Sequence, residues 1–130
     1  MGHSYRDLIA WQKAKALAVS VYRATDSFPK TETYGLVAQM RRAAVSVASN
    51  VAEGQGRKTP GEFGQFLGHA RGSLLELETQ ADIAHDLGLI ADGPYGDLQR
   101  STGDVLGLIN GLCDYTDREQ KKTRGAASAT

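Results

Sequence analysis

A single cysteine among 130 residues excludes an internal disulfide. Cys113 follows apolar residues at helical spacing and reads as a buried thiol in a reducing compartment. No apolar run approaches the roughly 20 residues that a membrane-spanning helix requires, and the N-terminus carries no signal-peptide core. A cytoplasmic protein without a membrane association is the expectation. Net charge is also lacking, because fifteen basic residues balance fifteen acidic ones. No Gly-rich phosphate loop follows a strand, and no stretch alternates polar and apolar residues long enough to make one. Aromatic residues are only 7%, and no recognised nucleic-acid motif accompanies them.

What is present is helical periodicity, in four segments. In the first, Ala10, Trp11, Ala14, Leu17, Ala18, Val21 and Thr25 share a face, and Phe28-Pro29 ends it because the residue before proline leaves the helical region. The second is expected over Glu32 to Glu53, with Leu36, Met40, Ala43, Ala44, Val47 and Val51 as its stripe and Gly54 and Gly56 as its stop. The third opens on Thr59-Pro60-Gly61-Glu62, which supplies a capping hydroxyl, a proline at the first helical position and a glutamate able to bond back. Its stripe runs Phe63, Phe66, Leu67, Ala70, Leu74, Leu77, Ala81, Ala84, and Gly88 is its C-terminal glycine. Gly93-Pro94 opens the fourth, whose stripe is Tyr95, Leu98, Thr102, Val105, Ile109, Leu112 and Cys113. Short connections favour an all-α, antiparallel up-down-up-down four-helix bundle over residues 1–117. Residues 118–130 offer little to bury and are expected to form a basic, disordered tail.

Charge is unevenly distributed along this pattern. Residues 1–58 hold nine Lys/Arg against four Asp/Glu, whereas residues 59–117 hold two against ten. Residues 118–130 return to four against one. Such asymmetry points to an interaction surface, either for phosphates or for the opposite face of a second copy. The basic candidates for nucleic-acid contact are Lys13, Lys15, Arg23, Arg41, Arg42, Arg57 and Lys58.

Two helix faces are unusual. On the second helix Gln39, Arg42, Ser46, Ser49, Asn50 and Glu53 share an arc of about 100°. Arg42–Ser46, Ser46–Asn50, Ser49–Glu53 and Glu53–Arg57 stand four residues apart. Serine and asparagine cost up to roughly 0.7 kcal/mol each in a helix interior, so an interface explains them better than open solvent. On the third helix Gly61, Gly64, Gly68 and Gly72 cluster away from the apolar stripe, with Leu75 one turn further on. Interior glycine costs about 0.5–1 kcal/mol relative to alanine, a weakness that close approach of another backbone would offset. Gln39, Ser46, Ser49, Asn50, Glu53, Gly64, Gly68, Gly72 and Leu75 are therefore the expected oligomer interface.

Chemistry finds little footing. Glu78, Asp82 and His85 share one helical face as half of a metal site, but no second Glu-x-x-His copy exists, so solvation is the better account. His3 and His69 stand without a ligand pattern. The expectation is a protein that is not an enzyme and carries no metal or other cofactor.

The segment from Tyr34 to Arg57, YGLVAQMRRAAVSVASNVAEGQGR, resembles the bacterial four-helix-bundle family named after the protein encoded in 23S rRNA intervening sequences. DLIAWQKAKALA, FPKTETYGL and FLGHARGSLLELETQADIAHDLG resemble it too, in order, over residues 5–115. Gln39, Arg41, Arg42, Ser46, Asn50, Ala52, Glu53, Gly54 and Arg57 match the family's central signature, and Gly72, Ser73, Glu76 and Glu78 its third-helix signature. The resemblance implies an antiparallel bundle that assembles as a homopentamer, with no catalytic role at these positions. One branch, the accessory variability determinant protein of diversity-generating retroelements, is a basic pentameric barrel that binds nucleic acid and associates with a reverse transcriptase. The expected function is thus an oligomeric bundle binding RNA or a nucleic-acid-processing protein. The alternative is a protein-interaction scaffold without nucleic acid.

Overall fold

In the computed structural model, which describes residues 4–129 (side chains to residue 126), four helices carry the fold. They are α1 (Ile9–Thr25), α2 (Ala38–Gln55), α3 (Pro60–Asp86) and α4 (Asp92–Ala129). His3 and Thr130 lie outside the described residues. α1 packs against α2 and α4, and α3 against α2 and α4, so the four helices close an up-down-up-down bundle. The stripes read from the sequence meet at its centre. Leu17, Met40, Leu67, Leu74, Leu77 and Ile109 are among the fully buried side chains. Alanines at 14, 44, 70 and 84 are fully buried between them. Thr25, Thr102 and Thr116 are also buried, and each hydroxyl donates to a carbonyl of its own helix, those of Val21, Gln99 and Cys113. Each of these three hydroxyls thus has a partner. Cys113 is half-buried rather than enclosed, and partial burial raises its thiol pKa, with Asp117 adding to the effect.

The helix boundaries hold some surprises. Thr59 caps α3 as expected: its hydroxyl accepts the Glu62 N–H at 3.2 Å and donates to the Glu62 carboxylate at 3.3 Å. Gly88, at φ 73°, closes α3, with the Leu89 N–H reaching back to the Ala84 carbonyl at 2.9 Å. α2 begins later than its pattern suggests. Residues Thr33–Val37 form a wide π-helical turn interrupted at Gly35, and regular helix starts at Ala38.

Gly54 does not stop α2. The helix runs through it to Gln55, and Gly56 caps the end. A Cβ on Gly54 would lie 2.8 Å from the Phe66 Cβ and 2.9 Å from the Phe63 ring. Its glycine is a packing requirement of the α2–α3 seam.

The largest departure is at the C-terminus. The expected disordered tail from Arg118 is instead a continuation of α4 to Ala129. Once a helix is nucleated, each added residue costs little, and Arg, Glu, Gln, Lys and Ala here are good helix formers. At 38 residues α4 is about 57 Å long, against about 26 Å for α1. A Cβ at Gly61, in the first turn of α3, would lie 3.1 Å from Gln120. The residues after Gln120 therefore project about 14 Å past the start of α3.

Candidate binding surfaces

α2 forms two unlike seams. Toward α3 it is polar and closed over its central part. The Ser46 and Ser73 hydroxyls are 2.9 Å apart, and Asn50 Nδ2 donates to the Ser46 carbonyl at 2.8 Å and hydroxyl at 3.0 Å. Ser46–Asn50 is the expected i, i+4 pair that forms a hydrogen bond, and its network is completed within the chain. Arg57 instead places its guanidinium 4.5 Å from the centre of the Phe66 ring. Beyond Ser73, Gln39, Arg42, Glu76 and Gln80 line a groove of about 320 Å³. There Gln80 Oε1 is enclosed and accepts no hydrogen bond among the described residues.

Toward α1 the seam is open and apolar. Trp11, Ala18, Val19, Tyr22, Val45 and Ala48 line a groove of about 640 Å³, with Tyr5 at one end. Val19 and Val45 are each 42% exposed. Lys15 and Arg23 stand on its rim, and Ser49 borders it. Cations also settle on its aromatic rings: Lys15 and Arg6 lie 5.4 and 5.7 Å from the Trp11 centre. Trp11 belongs to the core stripe by spacing, yet it is half-buried and shared between core and groove.

The seven candidate cations do not form one patch. Lys15 and Arg23 flank the α1–α2 groove, Arg42 enters the α2–α3 groove, and Arg57 and Lys58 stand at the end of the bundle. Lys13 is exposed on α1. Arg41 is occupied internally: its Nε donates to the Thr25 hydroxyl at 3.0 Å and its Nη2 to the Tyr22 carbonyl at 3.2 Å, over the Tyr22 ring. It ties α2 to α1.

The glycine row of α3 also divides. A Cβ at Gly64 would meet Thr116 of α4 at 3.1 Å, so this glycine serves the α3–α4 seam inside the chain. Gly68 and Gly72 face open space. By helical spacing they share an arc of about 80° with Leu75, Thr79 and Ile83, all exposed, as are Glu76, Asp82 and Asp86 alongside. The outer face of α3 is thus a low ridge of Gly68, Gly72, Leu75, Thr79 and Ile83, with Glu76 and Asp82 at its edges, Asp86 at its C-terminal end and Arg71 beside it. Gln39 and Glu53 are exposed on α2.

At the α3–α4 turn, Tyr95 stacks on His85 with ring centres 4.0 Å apart and donates to Asp82 at 2.5 Å, while His85 pairs with Asp92 at 2.7 Å. The hydrogen bond to Asp82, with some desolvation, raises the Tyr95 pKa above its usual value. Asp82 and His85 are thereby engaged with α4. Among the described residues no group of three or more His, Cys, Asp or Glu is disposed to hold a metal ion, and no helix is long and apolar enough to cross a membrane.

Antiparallel folding also rearranges the charge along the bundle axis. The end formed by residues 4–16, 47–72 and 110–129 carries ten Lys/Arg and six Asp/Glu, and the other end five and nine.

The profile of the 23S rRNA-intervening sequence protein family matches residues 6–111. The chain belongs to this family. A solved structure with the same fold is a protein of unknown function from the S23 ribosomal protein family of Bacteroides thetaiotaomicron. It aligns with a TM-score of 0.73 at 16% identity, over 81% of this chain and 98% of that one. A search of curated proteins returned no significant match. Neither the family nor the structural relative indicates a catalytic activity.

The groove between α1 and α2 was missing from the sequence reading. Its signal was there in Val19 and Val45, apolar residues off the core stripes of their helices.

Proposed function

We propose that the family member described here is a non-enzymatic, cytoplasmic bundle that assembles head-to-tail into a ring and binds RNA or a ribonucleoprotein partner. One observation carries the assembly: the chain bears an apolar groove with a basic rim on α1–α2 and an apolar ridge with acidic edges on α3. The basic rim and the acidic edges are opposite in charge, and groove and ridge lie on different helices of one chain. A contact between such unlike faces repeats from copy to copy and closes into a ring when its rotation permits. Five subunits is the number that the family resemblance implies. Gly68 and Gly72 keep the ridge low enough to enter the groove, and Leu75 and Ile83 supply apolar contact.

The nucleic-acid arm rests on the excess of basic residues at one end of the bundle, which a ring would repeat around its rim. Its test is a salt titration of RNA binding, since a set of phosphate contacts weakens steadily as salt rises. Binding that disappears between low and moderate salt is expected. The scattering of the candidate cations over separate places, with Arg41 occupied inside the chain, favours a second reading, a protein-interaction scaffold. Absence of RNA binding at low salt would select it.

A further inference from the structure

The basic end of the bundle contains a groove separate from both lateral faces. It has a volume of about 680 Å³ and lies between the Tyr5–Asp7 turn, the α2–α3 connection and α4. Leu8, Phe63 and Leu112 give it an apolar floor. Arg57, Lys58 and Tyr115 line it, and Asp7 is the acidic residue among its walls. Tyr115 is 48% exposed, and among the described residues its ring stacks on no other.

The projecting end of α4 extends this groove outward. At 100° per residue, Arg118, Glu119 and Lys122 fall within about 60° of Tyr115 on the helix surface, one to two turns further along, with Glu119 on the side of Leu112. Asp114 and Asp117 lie further around, on the side of Lys121. Among the described residues Lys122 is held by an exposed ion pair to Glu119 at 3.3 Å, the kind of contact worth at most about 1 kcal/mol. It is readily given up for a phosphate. Arg57 is steadied by the Phe66 ring beneath it, so its charge is presented with little ordering cost.

An exposed aromatic ring above an apolar floor, bordered by cations spaced along a projecting helix, is the combination that single-stranded nucleic acids require: a face for a base and a track for the backbone. A duplex keeps its base faces stacked inside and would leave Tyr115 unused. We propose that this end groove holds a single-stranded nucleic-acid segment, with a base stacked on Tyr115 and its phosphates on Arg57, Lys58, Arg118 and Lys122. The proposal rests on the nucleic-acid arm of the function above and gives it a place and a strand type. Because the groove lies at the axial end, assembly through the lateral faces leaves it open.

Fluorescence anisotropy of the full chain with labelled ten-nucleotide oligoadenylate, as RNA and as DNA, tests it against a duplex of equal length. The expected result is preference for the single strands over the duplex; tighter binding of the RNA strand would identify RNA as the source. Tyr115→Ala should weaken single-strand binding about tenfold without changing its salt slope. Arg118→Glu with Lys122→Glu should weaken it and flatten the slope by about 1.4, the share of two phosphate contacts. Circular dichroism checks that each variant keeps its helix content. Equal binding of duplex, or a Tyr115→Ala variant that binds like the parent, would overturn the groove while leaving RNA binding intact. Displacement of the oligonucleotide only by a polyglutamate peptide would overturn it in favour of an acidic protein. Absence of any oligonucleotide binding at low salt removes both readings.

Discussion

The two seams of α2 show what its residues are for. On the α3 side, Gly54 lets the backbone meet Phe63 and Phe66, and Ser46, Ser73 and Asn50 satisfy one another. On the α1 side, Val45 and Ala48 line an open groove with Val19, Trp11 and Tyr22. The first seam is filled within the chain around Ser46 and Gly54 and opens only at the polar groove beside Gln80. The second exposes apolar side chains whose burial would be worth about 25 cal/mol per Å², and it is the side to which a partner adds most. Much of the central sequence signature therefore serves the fold, because Arg41, Ser46, Asn50 and Gly54 all have partners inside the molecule.

Breaking the closed seam should cost the most stability. Gly54→Ala forces a methyl group against Phe66 Cβ, and the expected loss is about 1–3 kcal/mol, the usual range for overpacking, read from the urea midpoint. Unchanged stability would mean that α2 and α3 move apart freely. A charge in the open groove should do the reverse. Val45→Glu is expected to leave the monomer's stability within about 0.5 kcal/mol, while light scattering shows the assembly reduced to single chains. An assembly that survives this substitution would place its contact elsewhere.

Smaller effects sharpen the contrast. Ser46→Ala removes the partner of Ser73 and one of the two acceptors of Asn50, for an expected loss of about 0.5–1.5 kcal/mol by chemical denaturation. Its effect on assembly should be slight. The smallest effect is at the α3–α4 turn. The raised pKa of Tyr95 means that its contribution is fully present below the unfolded phenol's value, near 10, and is lost as pH rises through the higher folded value. Tyr95→Phe should abolish this alkaline component of the thermal midpoint, measured between pH 9 and 11. A parent protein with no such component would show that the Tyr95–Asp82 bond does not matter to stability.

Much of the fold was legible because burial follows a 3.6-residue period. The stripes of α1 to α4 predict the core, and Thr59 and Gly88 predict the limits of α3. Gly54 was misread as a stop because a glycine needed for close approach and one needed for a turn look alike in one dimension. The C-terminal helix was missed because a segment with nothing to bury can still propagate from a helix already formed. The binding surfaces were less legible. Ser46 and Asn50 do favour a packed polar environment, but their spacing cannot say that the packing partner is Ser73 of the same chain. Gly64 likewise differs from Gly68 only through Thr116, more than fifty residues away. The open groove emerges only when α1 and α2 are set side by side.

Size in solution tests the central claim most directly. Light scattering of the full chain across a concentration series should give a mass well above the 13.9 kDa of one copy, near 70 kDa if five copies close the ring. A mass of one chain at every concentration would contradict the account, because the groove and the ridge would then have no partner in each other.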